Sequence, residues 1–383
     1  MVAGSVALTT TVVPAFLTGA LSRRIGDDLG FGSGAAGAAV AALFVGAGVF
    51  AVPMGRVTER IGPTRALRTG TLISATCALT IAGVVSSWWQ LALVLFLAGS
   101  AVGLVDTGAA RAFGDAVPAT RHGIAFGAKE ASVPAASLAA GLSIPVLAEQ
   151  LGWRSAFVAG ALLTPVVLAL VPRLAADRPV PSDGGGTAER RGPLLLFATG
   201  VALGCGAATA ASTLLVPAIE DRGWREADAG LLLAFASATS IAVRLAAGGR
   251  GDRRPRTTWV MVATLLVIGA VGAVLLASTS AGPAGVVGAV AVIGGGWGGT
   301  GIAYPTAVRV GRDRPAAAAS LVLTGLSVGG AAGPAAFGAI ASASSYSAAW
   351  GAAAAALVAG AAAILLSRRW LEPAAEASPE RVR

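Results

Sequence analysis

Residues 55–65 have the sequence GRVTERIGPTR, and a related segment, GGRGDRR, stands at residues 248–254. Both segments follow a long apolar run, and both carry glycine, an acid and arginine in the same order. A shift of 193 positions places Glu59 on Asp252. A polar segment that recurs at the same point of two apolar series predicts a membrane protein built from two related halves.

The same shift aligns residues far outward from these two segments, which strengthens the prediction of a repeat. The ungapped matches are Asp27 with Glu220, Asp28 with Asp221, Gly30 with Gly223, Phe31 with Trp224, Gly37 with Gly230, Gly55 with Gly248, Glu59 with Asp252, Arg60 with Arg253, and Arg121 with Arg314.

The composition places the whole chain in a bilayer. Of 383 residues, 55% are hydrophobic and only 12% are charged, which exceeds the apolar fraction of a soluble domain. Twelve helices of about 20 residues would use most of the length. The chain is therefore predicted to be an all-α membrane protein with twelve transmembrane helices in two six-helix, pseudo-symmetric halves. The predicted spans are 2–21, 34–54, 67–87, 90–110, 123–148, 155–172, 194–218, 229–247, 257–278, 283–307, 316–342 and 347–367.

The longest polar segment, residues 173–193, divides these spans into six and six. Its prolines, glycines and charges are typical of a flexible linker. The predicted organisation is an N-terminal half at 1–172, this linker, a C-terminal half at 194–367 and a tail at 368–383.

Basic residues alternate between the loops and predict the orientation of the chain. One set of alternate loops holds 21 Lys and Arg residues and the other set holds five. The positive-inside rule then puts both termini in the cytoplasm. The formal charge of +9 is explained by topology, so no nucleic-acid partner is predicted. We expect a multi-pass protein of a bacterial cytoplasmic (inner) membrane, working as a monomer in contact with lipid.

The segment at 55–65 resembles the G-x-x-x-D-R-x-G-R-R signature of the major facilitator superfamily, and residues 248–254 resemble a second copy. Residues 152–154, Gly-Trp-Arg, are similar to the family's usual motif before the sixth span. The sequence departs from the signature in having Glu59 for Asp, and Pro63 and Thr64 where basic residues are usual. The resemblance covers nearly the whole chain and implies the major facilitator fold.

The signature also has a physical reading, because glycine permits close helix approach and an acid beside an arginine can form alternative ion pairs. Asp115 is a candidate partner for Arg60 or Arg65, and the resemblance implies a conformational latch. The alternative is that these are solvated loop charges. The predicted latch residues are Gly55, Glu59, Arg60, Arg65, Asp115, Arg244, Gly248, Asp252 and Arg253.

Asp106, Lys129 and Glu130 lie inside predicted spans 4 and 5. Unpaired, three such charges would cost about 8 to 10 kcal/mol on insertion scales, so we expect them to be paired, neutralised or hydrated. Consecutive helical residues point about 100° apart, so Lys129 and Glu130 are expected to face different partners. Lys129 is also the only lysine in the chain. We predict a central charge site for proton coupling, with a purely structural ion pair as the alternative.

The predicted substrate cavity uses residues of spans 1, 7 and 10, since the resemblance implies that spans 1, 4, 7 and 10 line the pathway. The alternative is that the hydroxyls bond to carbonyls of their own helices. The predicted wall residues are Thr10, Thr209, Thr213, Trp297 and Tyr304.

One histidine and two cysteines offer little material for a metal site, a catalytic triad or a cofactor site. We therefore expect no enzyme activity, no catalytic residue, no metal and no cofactor. The predicted function is a secondary active transporter that moves a small organic solute by alternating access and is coupled to protons. The alternatives are an exporter of amphipathic cationic compounds and a non-transporting membrane receptor or scaffold of the same fold.

Overall fold

The computed structural model describes residues 2–116, 122–171, 191–278, 282–310 and 315–376, and all regular structure in these ranges is helical. Spans 1 to 4 are Val2–Ala20, Ser33–Ile61, Pro63–Gly83 and Trp88–Ala116, with a short helix Ser22–Leu29 after span 1. Span 5 consists of His122–Glu130, Ser132–Ser143, the π-helical turn Ile144–Ala148 and Glu149–Leu151, and span 6 of Trp153–Leu162 and Thr164–Leu170. Spans 7 to 9 are Arg191–Glu220, Glu226–Arg253 and Thr258–Ser278, with a 3₁₀ turn Pro255–Thr257 before span 9. Span 10 consists of Pro283–Gly298 and Thr300–Val310, and spans 11 and 12 are Pro315–Ala343 and Tyr346–Glu376.

The predicted all-helical membrane fold is confirmed, and the number of long helices is consistent with twelve spans. Eleven helices in the described ranges are long and apolar enough to cross a bilayer. The twelfth, span 3, has 21 residues but carries arginines in its first turns and several hydroxyls along its length. In lipid, a helix satisfies its own backbone hydrogen bonds, which is why apolar runs of this length fold as helices.

Several helices extend past their predicted ends. Span 2 continues to Ile61 and span 12 to Glu376, whereas the apolar windows ended at 54 and 367. An apolar window detects the part of a helix that lies in hydrocarbon, but the hydrogen bonds of the helix continue into the polar interface. The predicted tail therefore begins as helix, and residues 172–190, most of the predicted linker, lie outside the described residues.

The backbone repeats where the sequence repeats. Gly30 and Gly223, which the 193-residue shift aligns, both adopt positive φ, at 75° and 85°. Side chains other than glycine rarely adopt this left-handed conformation. Gly30 follows the short helix after span 1 and Gly223 follows span 7, so each half has a left-handed glycine in the turn before its second span.

The two halves meet along two seams, one between spans 2 and 11 and the other between spans 5 and 8. We call the end of the bundle that carries residues 55–66 and 248–256 the motif end, and the end that carries residues 21–32 and 220–226 the opposite end. Near the opposite end, a β-carbon built on Gly37 would lie 2.2 Å from the Pro334 carbonyl oxygen. One on Gly230 would lie 2.7 Å from the Gly141 carbonyl oxygen. Glycine therefore permits backbone contact in both seams.

Candidate functional site

Three charged side chains of the first half form a cluster inside the bundle. Nζ of Lys129 lies 2.5 Å from Oδ1 of Asp106 and 3.3 Å from Oε1 of Glu130. The exposed fractions of the side chains are 1% for Lys129, 16% for Asp106 and 9% for Glu130. The lysine is thus enclosed between two carboxylates, and solvent reaches the cluster chiefly at Asp106.

Lys129 pairs with Asp106, and it also contacts Glu130, a contact that the expectation of different partners did not include. The expectation considered only where the β-carbons point. Lysine has a flexible four-carbon stem, which carries its ammonium from the Asp106 side around to the neighbouring carboxylate.

Tyr304 brings span 10 of the second half to this cluster. Its ring stacks on Phe126 of span 5 with the ring centroids 5.4 Å apart and the planes at 7°. Nζ of Lys129 lies 5.5 Å from the centroid of the Tyr304 ring, a cation–π distance. The half-buried tyrosine therefore covers one side of the lysine.

Arg244 lies in the interior of span 8 and not at the motif end, where the predicted latch placed it. Its side chain is buried, with 1% of the residue exposed. Nε donates to the Trp297 carbonyl oxygen at 2.9 Å and Nη2 to Oγ1 of Thr300 at 2.5 Å. The guanidinium also lies 5.0 Å from the Trp297 ring centroid. Arg244 interrupts an apolar run just as Asp106 does, and this was a signal that it lies inside the bundle.

The hydroxyl groups predicted to line the substrate cavity form hydrogen bonds within their own helices. Thr10, Thr209 and Thr213 each donate a hydrogen bond to a carbonyl of their own helix. Thr209 and Thr213 are fully buried, and Thr10 lines a narrow space between spans 1, 3 and 6. A threonine in an apolar helix is satisfied by its own backbone, so it does not require a polar cavity.

Trp297, the fourth predicted wall residue, is 2% exposed, and its Nε1 donates to Oγ of Ser212 at 2.8 Å. It thus joins spans 7 and 10 and supports Arg244 through its ring and its carbonyl. Two grooves open on the surface of the second half, one between spans 8 and 9 and one of about 390 Å³ between spans 7, 11 and 12. Neither groove is lined by the charged cluster.

The second motif copy holds the two halves together at the motif end. Asp252 accepts hydrogen bonds from the backbone N–H groups of Gly123 and Ile124, at 2.7 and 2.9 Å. These groups begin span 5, so the carboxylate lies at the positive end of a helix in the other half. A β-carbon on Gly248 would lie 2.6 Å from the Gly123 carbonyl oxygen. Arg253 is exposed.

The first motif copy makes a different contact. Oε1 of Glu59 lies 3.3 Å from Nη2 of Arg111, which belongs to the same half, and the Glu59 side chain is 62% exposed. A β-carbon on Gly55 would meet no atom within 4 Å, and Arg60 and Arg65 are exposed. The side chain of Asp115, and Arg121 and Arg314 of the repeat, lie outside the described part of the chain.

Ion pairs join the halves at the opposite end. Arg24 forms an ion pair with Glu226 and donates through Nη1 to the Ala148 carbonyl oxygen at 3.1 Å. Nε of Arg23 lies 3.9 Å from Oε2 of Glu220. Glu220 and Glu226 are only 11% exposed in their side chains, so these contacts are partly shielded from solvent.

The protein-family model for the Major Facilitator Superfamily matches residues 2–310 of the sequence. The chain belongs to the major facilitator superfamily. It is a membrane transporter of that family, whose members bind small-molecule substrates within the membrane and are generally not enzymes. No curated protein matches the sequence.

A solved structure gives the same fold for this superfamily member. It is a bacterial homologue of the human lysosomal transporter Spinster, in an inward-facing and occupied conformation. The match has a TM-score of 0.68 and covers 98% of this chain and 96% of that chain. The two sequences are 15% identical, so the likeness concerns the fold alone.

The Gly-Trp-Arg segment of this superfamily member stabilises the opposite end of the first half. Nη1 of Arg154 lies 2.5 Å from Oδ2 of Asp28, and Nε1 of Trp153 donates to the same oxygen at 3.2 Å. Arg154 also donates to the Val85 carbonyl oxygen. The hydrogen bond from Arg154 lowers the pKa of Asp28 below its ordinary value. The segment therefore ties the helix after span 1 to the loop after span 3.

Proposed function

We propose that this chain is a proton-coupled secondary active transporter that moves a small organic solute across the cytoplasmic membrane by alternating access. The observation that carries the proposal is the enclosure of Lys129 between the carboxylates of Asp106 and Glu130 inside the bundle. Ionisable groups at such depth are rare and mark ion and proton pathways.

Asp106 is the proton carrier in this proposal, and Glu130 is a second acid in contact with the same lysine. Asp106 is the most exposed of the three groups, so a proton from solvent reaches its carboxyl first. Protonation removes one of the two negative charges beside Lys129. The net charge inside the bundle then differs between the protonated and the deprotonated protein. A proton-coupled transporter needs such a difference so that protonation changes which conformation is favoured.

Alternating access would open one end of the bundle while the other is closed. At the opposite end, Arg24 and Glu226 and the backbone contacts of Gly37 and Gly230 join the halves. At the motif end, Asp252 and Gly248 join span 8 to span 5. We propose that motion between the halves breaks and remakes these contacts. The proposed latch comprises Gly55, Glu59, Arg60, Arg65, Asp115, Gly248, Asp252 and Arg253, with Arg244 assigned to the centre.

The remaining features of the proposal follow from the distribution of charge along the sequence. The motif end would face the cytoplasm together with both termini, since the basic residues concentrate in the loops of that end. The two six-helix halves would be the moving parts, and the linker would connect them. A monomer is sufficient, because the charged cluster is built within one chain.

The test measures the lumenal pH of proteoliposomes with a trapped dye while organic anions, uncharged solutes and lipophilic cations are added in turn. We expect one class to move protons, and Asp106→Asn to abolish pH-driven movement while exchange of substrate already bound inside continues. Asp228→Asn is the matched control, because Asp228 is an exposed acid at the start of span 8. Unchanged pH dependence in Asp106→Asn would exclude Asp106 as the carrier.

A second candidate function is export of amphipathic cations. It is supported by the excess of one negative charge over Lys129 in the first-half cluster and by the stacked rings of Phe126 and Tyr304. The same experiment separates the two functions, because proton movement on addition of lipophilic cations, and not of anions, would favour the exporter.

A further inference from the structure

Arg244 has a hydrogen-bonding group that the described residues do not satisfy. Its Nη1 is buried and has no hydrogen-bond partner among them, whereas Nε and Nη2 both donate. Both acceptors, the Trp297 carbonyl and the Thr300 hydroxyl, are uncharged. A buried guanidinium ordinarily pairs with a carboxylate or phosphate, since its planar donors fit such anions. Nη1 of Arg244 is therefore a buried donor without an acceptor among the described residues.

Lys129 differs from Arg244 in this respect. Its ammonium already contacts two carboxylates, so it has little capacity to attract a further anion. Glu130 acts electrostatically on Arg244 as well, but among the described contacts it is hydrogen-bonded to Lys129. Of the two buried cations, Arg244 is the one that offers a place for an external negative charge.

The cluster of Asp106, Lys129 and Glu130, taken together with Arg244, has no net charge when all four groups are ionised. The titratable groups that interact here are Asp106, Lys129, Glu130, Arg244, Tyr304 and Cys205. Asp106 and Glu130 are negative, Lys129 and Arg244 are positive, and Tyr304 and Cys205 are neutral at ordinary pH. An entering monovalent anion would leave one uncompensated negative charge in a medium that solvates charge poorly.

We propose that Nη1 of Arg244 binds the anionic group, a carboxylate or a phosphate, of the transported solute, and that each monovalent anion enters together with one proton held by Asp106 or Glu130. The inference rests on the proposed function and adds to it the substrate class and the coupling ratio. The proton restores the neutral sum of the cluster. By linkage, each partner then raises the affinity for the other.

The first experiment measures proton binding by the purified full-length protein in weakly buffered detergent solution. The probes are lactate, benzoate and glycerol 3-phosphate, each beside its uncharged counterpart, lactamide, benzamide or glycerol. We expect one of the anions, and no uncharged counterpart, to draw protons on binding, about one per carboxylate and about two per phosphate ester, since the ester is close to doubly charged at pH 7. The carboxylates and the phosphate ester separate the two anion chemistries. Absence of proton uptake with every anion would overturn the inference.

Variants of Arg244 test the residue itself. We expect Arg244→Gln to weaken binding of the active anion about tenfold or more, and Arg244→Lys to keep part of it. Arg225→Gln is the matched control, because Arg225 is exposed at the start of span 8. Binding that Arg244→Gln leaves unchanged would overturn the assignment. Size-exclusion behaviour and helical content identify a variant that has not folded.

A measurement on the wild type needs no variant. In proteoliposomes, entry of one anion with one proton moves no net charge, so a potassium diffusion potential of either sign should leave the rate unchanged. A potential-dependent rate would refute the one-to-one ratio. Failure of this inference differs from failure of the proposed function. If only this inference fails, uncharged or cationic probes still move protons and Arg244→Gln has no effect. If the proposed function fails, no probe of any class moves protons.

Discussion

The two seams between the halves match at one end of the molecule and differ at the other. Near the opposite end, Gly37 against Pro334 and Gly230 against Gly141 are equivalent contacts under the 193-residue shift. At the motif end the equivalent glycines have diverged. Gly248 meets the backbone of span 5, whereas a β-carbon on Gly55 would meet no atom within 4 Å.

The acids of the two motif copies differ in the same way. Asp252 accepts two backbone hydrogen bonds from the other half, whereas Glu59 pairs with Arg111 of its own half. A repeated sequence motif therefore does not imply a repeated contact. In this state the second copy joins the halves, and the first copy faces solvent.

The largest effect is expected from side chains added at the two motif glycines. Gly248→Val would force its β-carbon against the Gly123 carbonyl oxygen, so we expect a loss of about 1 to 3 kcal/mol. Gly55→Val should change stability little, since its site is open. Thermal unfolding in detergent compares the two variants. Equal losses would show that the two copies are packed alike and remove the asymmetry.

The second largest effect is expected from substitution of the acids in the two motif copies, Asp252 and Glu59. Asp252→Asn weakens a charged cap on span 5, so we expect about 0.5 to 2 kcal/mol less stabilisation of the closed span 5 to span 8 seam. Spin labels at exposed positions 56 and 253, in a background without Cys77 and Cys205, measure the separation of the halves at the motif end. We expect longer distances in Asp252→Asn and an unchanged distribution in Glu59→Gln. The reverse order would mean that the first copy is the stronger contact.

The ion pair at the opposite end tests the region where the seams match. Arg24→Gln should leave the shielded Glu226 without its partner and favour opening of that end. The effect should be smaller than that of Asp252→Asn, because the Arg24 side chain is 34% exposed. Exchanging the two residues, Arg24→Glu with Glu226→Arg, should restore closure. Accessibility of a cysteine placed near residue 230 to a thiol reagent reports opening. A double exchange that fails to restore protection would show that the pair acts through other groups.

The smallest effect concerns Asp28 and Arg154, a contact that the second half lacks because Ser347 stands where the shift would place the arginine. Since the folded-state pKa of Asp28 is lowered, the contact stabilises the protein above the ordinary pKa, about 4, and this contribution is lost as the pH falls through the lowered value. We expect Asp28→Asn to unfold at a slightly lower temperature than wild type at pH 7. The two curves should converge in acid. A constant difference from pH 7 to pH 3 would contradict this assignment.

The fold was predictable from the sequence because hydrophobicity and the repeat act over long stretches. The site was less predictable because its contacts depend on single side chains. Arg244 could have been grouped with Asp106 from its position in an apolar run, but its partners, Trp297 and Thr300, come from span 10 and depend on how spans 8 and 10 pack together. The hydroxyls of Thr209 and Thr213 gave no such signal, since a threonine bonded to its own helix looks the same in sequence as one that faces a cavity.

The central charges are not repeated between the halves, and this has a consequence for how the halves recognise one another. The first half contributes a net charge of −1 to the cluster, and the second contributes +1 through Arg244. Two copies of the first half would bury like charges together, and so would two copies of the second. The opposite charges of the two halves thus favour pairing of a first half with a second half. If they were expressed as separate chains, we expect each to co-purify with its complement in preference to itself.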